Sequence, residues 1–79
     1  MYVSIVYYDP ASNSYAGREY TYKTELPLLP YQKVIAPTAK GDKKALVTRI
    51  NIPEKEINPE WADRIKEIKE YDNEGFEET

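Results

Sequence analysis

Apolar and polar positions alternate with period two over the first eight residues. Met1, Val3, Ile5 and Tyr7 form one set, and Tyr2, Ser4, Val6 and Tyr8 the other. That period, with β-branched and aromatic residues, predicts a strand whose Met1 set faces the core. Asp9 to Ser14 is a turn cluster, because Asx-type side-chain bonds and a φ-locked proline favour reversal. A second strand is predicted over Arg18–Thr24, with Tyr20 and Tyr22 on one face and Glu19, Thr21 and Lys23 on the other. Leu26-Pro27-Leu28-Leu29-Pro30 holds two prolines, which exclude a helix interior or a central strand. It reads as an extended connector whose leucines plug one end of the fold. A third strand follows over Gln32–Ala36, ended by Pro37, with Val34 and Ala36 on one side. Thr38 to Lys43 is a turn in which Gly41 is free to take positive φ. A fourth strand over Lys44–Ile52 sets Leu46, Ile50 and Ile52 against Ala45, Val47 and Arg49.

The period changes after Pro53. Asn58 suits an N-cap and Pro59 the first helical position, with Glu60 and Asp63 near the positive dipole end. Trp61, Ile65 and Ile68 recur at helical spacing, and Asn73 and Gly75 are stop signals. The pattern predicts a helix over about 58–71 whose stripe lies on the sheet. Fully burying those three side chains is worth roughly 1.5–3 kcal/mol each, against roughly 5 kcal/mol for a whole small domain. The expected fold is therefore mainly β: a small SH3-like open barrel of four or five antiparallel strands capped by one C-terminal helix. Residues 1–72 form its single domain, and 73–79 a flexible acidic tail.

Composition narrows the chemistry. Seventy-nine residues with no cysteine and no histidine leave no thiolate or imidazole for zinc, nucleophile or general base. There is no phosphate-binding glycine loop, and the acids Glu54, Glu56, Glu60, Asp63, Glu67 and Glu70 lie at or on the expected helix. The chain is expected to be no enzyme and to need no cofactor or metal. No apolar run approaches the ~20 residues that span a bilayer, and the first residues lack a signal-peptide pattern, so a cytoplasmic protein with no membrane partner is expected. Eight tyrosines against one phenylalanine suit half-buried sheet surfaces with wet hydroxyls. The net charge of −3 is divided unevenly. Residues 1–52 are mildly basic through Arg18, Lys23, Lys33, Lys40, Lys43, Lys44 and Arg49, whereas 53–79 are strongly acidic. Such asymmetry marks a nucleic-acid surface with an acidic appendage, or a solvated surface with an acidic end.

Lys33, Lys40, Lys43, Lys44 and Arg49 cluster in sequence around one hairpin, where Gly41 lets backbone approach a phosphate. Tyr7, Tyr20, Tyr22 and Tyr31 are candidate stacking faces for unpaired bases. The alternative is a protein-interaction module that uses exposed tyrosines or the acidic C-terminal segment.

The order Tyr20-Thr21-Tyr22, Leu26-Pro27-Leu28, Val34-Ile35-Ala36-Pro37, Lys40-Gly41-Asp42-Lys43 and Ala45 to Ile50 resembles the N-terminal 3′-DNA-binding domain of the primosomal replication-restart helicase. Met1–Tyr8 corresponds to that family's first strand, and the likeness covers about fifty residues. It implies a small barrel that binds single-stranded DNA in replication or recombination, through Lys33, Lys40, Gly41, Lys43, Lys44, Arg49, Tyr20 and Tyr22. Thr21 stands where the family usually has an acidic residue for the DNA 3′ end, and Pro30-Tyr31 stands where it has a tight glycine turn.

Overall fold

Each predicted strand becomes one edge-to-edge neighbour in a single curled sheet. The computed structural model describes residues 1–72, and the expected acidic tail over 73–79 lies outside the described residues. The strands are β1 (Tyr2–Asp9), β2 (Ser14–Tyr15), β3 (Tyr20–Thr24), β4 (Lys33–Thr38), β5 (Gly41–Ile52), β6 (Glu67–Ile68) and β7 (Glu70–Tyr71). Their order is β6-β3-β1-β5-β4-β7, with the short β2 paired onto β1. β6 runs parallel to β3 and β7 antiparallel to β4. Only Lys69 separates β6 from β7, so a five-residue stretch laces the two outer edges together. The sheet is a nearly closed small barrel, and closure is a direct solution to open strand edges.

The core follows the period-two sets. Val3 and Ile5 from β1, Tyr22 from β3, Val34 and Ala36 from β4, Ala45 and Val47 from β5, and Ile68 from β6 form one buried cluster. Leu28 joins it from the proline-rich connector, as expected of a plug, while Leu29 stays exposed. On β5 the simple alternation fails. The β1–β5 register shifts twice, and Thr48 is the extra residue between the Ile5–Val47 and Ser4–Arg49 pairs. Asn51 also takes φ 52°. Such bulges bend a strand and exchange its faces. Ala45 and Val47 point inward as one set, and beyond the bulge it is Ile50 that packs on the core.

The expected helix over 58–71 is corrected to one turn. Its start is as the sequence indicates: Asn58 accepts a hydrogen bond from the Glu60 N–H at 3.0 Å, and Pro59 follows as first residue. The helix α1 then spans only Pro59–Ala62, after a 3-10 turn at Glu54–Glu56. Trp61 does not seal the barrel; 55% of its surface is exposed. A short isolated helix is marginal in water. The same residues satisfy two sheet edges by running as strand. The Lys23 backbone N–H donates to the Lys66 carbonyl at 3.0 Å, the Asp72 backbone N–H donates to the Lys33 carbonyl at 3.1 Å, and Ile68 is fully buried between them. Among the described residues no helix is long and apolar enough to cross a membrane.

Candidate nucleic-acid interface

One end of the barrel is lined by tyrosines because the inward sets of β1 and β3 end in them. The Tyr7 and Tyr20 rings lie with centroids 4.9 Å apart. The Tyr22 hydroxyl donates to the Pro37 carbonyl at 2.7 Å, so the 2.7 Å bond between the Tyr7 and Tyr22 hydroxyls has Tyr7 as donor. Burial pushes the Tyr22 phenol well above the usual tyrosine range, and its bond with Tyr7 adds to the shift. Tyr22 is therefore corrected from a stacking face to an internal strut: it is buried, and its ring is part of the core. Tyr20 keeps 41% of its surface exposed and can offer a face.

The predicted cations distribute unevenly around this end. Lys43 places its ammonium 5.4 Å from the Tyr7 ring centroid, beside the tyrosines. Lys40 and Gly41 form the tip of the β4–β5 hairpin. There Gly41 takes φ 111° and the Lys40 N–H bonds to the Thr38 hydroxyl at 3.2 Å. Lys33 lies elsewhere, with its ammonium 5.7 Å from the Tyr15 ring, and Lys44 pairs across the ladder with Ile35. Arg49 is held by Glu56 at 3.6 Å. The structure thus brings Lys40, Gly41, Lys43, Tyr7 and Tyr20 toward one end and leaves Lys33 and Arg49 engaged elsewhere.

Beside Tyr20 lies a groove of about 550 Å³, bounded by residues 18–22 on one side and 56–66 on the other. Arg18, Arg64 and Lys66 line it together with Trp61. The Arg64 guanidinium sits 5.3 Å from the Trp61 ring centroid, a favourable cation–π arrangement. The two acids in its lining are engaged: Glu19 accepts from the Thr48 hydroxyl at 2.6 Å, and Glu56 pairs with Arg49. Arg18, Trp61, Arg64 and Lys66 were not expected as site residues, since only the return of the chain along β3 brings them together. Among the described residues no group of three or more acidic side chains is arranged to hold a metal.

No protein-family model, curated protein or solved structure matches this chain.

Proposed function

We propose that this protein is a non-catalytic, SH3-like binding module that takes single-stranded nucleic acid at the tyrosine-lined end of its barrel. One observation carries the reading: an exposed aromatic face, Tyr20, lies beside Tyr7 and Lys43 in a wall that continues into a cation-lined groove. Bases stack on aromatic faces whatever their sequence, and cations follow the phosphates. The order of residues from Tyr20 to Pro53, which resembles the replication-restart helicase domain, supports the same reading. Thr21 in place of an acid argues against recognition of a 3′ terminus as that family performs it. Labelled single-stranded oligonucleotide titrated at low and moderate salt tests it. Affinity should fall with salt, and should fall again when Lys40, Lys43 and Lys44 are changed to glutamate. Absence of binding at tens of micromolar excludes it.

A second reading, docking on a protein partner, has its own observation. Leu29 and Tyr31 are 66% and 76% exposed in the connector between β3 and β4, and neither lines the groove. Persistence of partner capture after Tyr31→Ser would remove that site.

A further inference from the structure

The outer face of the barrel between β1 and β4 is not the polar surface that a half-solvated sheet turns to water. Val34, Ala36, Ala45 and Val47 fill the core, so the alternate residues Lys33, Lys44 and Leu46 point outward. Leu46 pairs across the ladders with Lys33 on one side and Val6 on the other. Val6 is buried there, outside the core cluster. Two residues along the same face, the Tyr8 ring meets that of Tyr15 edge to face, with centroids 5.2 Å apart. Lys33 sets its ammonium 5.7 Å from the Tyr15 ring centroid. An aliphatic and aromatic patch is thus rimmed by Lys33 and Lys44. Neither lysine lines the groove beside Tyr20.

The described chain ends beside this patch. The Asp72 backbone N–H donates to the Lys33 carbonyl at 3.1 Å, and Asn-Glu-Gly-Phe-Glu-Glu-Thr follows as residues 73–79. Residues 1–72 carry eleven bases and eleven acids, so the whole formal charge of −3 lies in Glu74, Glu77 and Glu78. Phe76 stands among them as the only phenylalanine of the chain. Four residues of extended chain reach up to about 14 Å, and Lys33 approaches the Tyr15 ring with its own side chain. Phe76 is therefore within range of both tyrosines. We propose that residues 73–79 dock on this patch as an intramolecular strap, with Phe76 against the Tyr8 and Tyr15 rings and the three glutamates about Lys33 and Lys44. Ion pairs in water hold little alone, so the third ring is the anchor and the charges orient it. Tethering gives the segment a millimolar effective concentration, which a free anion of like charge must exceed. The strap stands independently of the single-strand reading. If that reading holds, the strap takes up Lys33 and Lys44 and leaves Lys43 and the groove to the nucleic acid.

A single phenylalanine makes the strap directly observable. Full-length protein grown on 4-fluorophenylalanine gives one 19F resonance, from position 76, to compare with that of a synthetic peptide of residues 72–79 carrying the same label. In the full protein at low salt the resonance should be shifted from the peptide's and broadened, with Overhauser contacts to the Tyr15 ring. Salt at 1 M, which screens exposed charges beyond about 3 Å, should move it part of the way back. Changing Glu74, Glu77 and Glu78 together to glutamine should do the same, and these positions lie outside the barrel strands. Lys33→Gln with Lys44→Gln should match that effect, and Tyr15→Ala should return the resonance to the peptide's position. Thermal melts show that the two barrel variants remain folded, and the glutamine triple variant decides the charge contribution if either does not. A resonance that coincides with the free peptide's in the unaltered protein overturns the strap. So does a shifted one that neither the glutamine variants nor Tyr15→Ala moves. A shift that grows with protein concentration makes the occupant a second copy's segment, and overturns the intramolecular form.

Discussion

Tyr22 is the residue in which fold and site meet. Its ring is in the core, while its hydroxyl joins β3 to β1 through Tyr7 and to β4 through Pro37. Tyr22→Phe deletes both bonds and leaves the Pro37 carbonyl without this donor. At about 0.5–1.5 kcal/mol per bond, the variant should be about 1–3 kcal/mol less stable, and 1 kcal/mol lowers Tm by about 4–8 °C in a domain of this size. Denaturant melts of the two proteins check this. The effect has a pH signature. A phenol whose folded pKa is raised stays protonated after the unfolded chain has begun to lose its proton, near pH 10. The unfolded state then binds fewer protons, so stability falls as pH rises above about 10. The stabilisation attributable to the neutral Tyr22 is fully present below that pH. The gap between wild type and Tyr22→Phe should therefore narrow from pH 9 to pH 11, and a constant gap would mean that the hydroxyl is not in its buried, bonded state.

Closure of the barrel belongs to β6 and β7, and the sequence conceals it. Ile68→Ala removes a fully buried side chain at the seam. Large-to-small changes of this kind cost about 2–5 kcal/mol, comparable to the roughly 5 kcal/mol available to a small domain. The variant should be largely unfolded or close to it by circular dichroism. Trp61→Ala, at a half-exposed position, should change stability by no more than about 0.5 kcal/mol. A helical stripe lying on the sheet would bury Trp61 together with Ile68 and make both substitutions costly, so Trp61→Ala separates the two architectures. The contrast shows what was legible in the chain. Period-two sets located β1, β3, β4 and β5, and proline, glycine and capping residues located the Leu28 plug, the Gly41 turn and the Asn58 cap, all of which are local chemistry. Trp61, Ile65 and Ile68 also repeat at helical spacing, but nothing local reveals that two strand edges stand open elsewhere. That demand for partners is tertiary, and it overrides a weak helical propensity. The β5 bulges were hidden for the same reason, since they arise from how β5 must bend against β1. The site divides likewise. Tyr7 and Tyr20 were readable as candidate stacking faces and Lys43 as a hairpin cation, but strand pairing in the fold is what makes them neighbours. Arg18 and Arg64 meet only because the returning chain forms the groove's second wall.

At the scale of the whole molecule, charge decides how any nucleic acid would be held. The net charge is −3, so no long-range attraction favours a polyanion, and binding must come from cations gathered locally. Arg18, Arg64 and Lys66 line the groove, and Lys43 stands beside Tyr7. Three or four phosphates is then the natural footprint. Each phosphate neutralised on a single strand contributes about −0.7 to the slope of log affinity against log salt. The slope should lie between about −2 and −3, and affinity should fall about 20- to 50-fold between 50 and 200 mM salt. Changing Arg64 to glutamine should flatten the slope by about 0.7. It should also remove the cation from the Trp61 face, which shifts the tryptophan emission even without ligand. A slope near zero with binding intact would mean that stacking alone holds the strand. A slope steeper than about −5 would require more phosphate contacts than the groove supplies, and would point to the hairpin lysines, with Lys33 and Lys44, as the true contact surface.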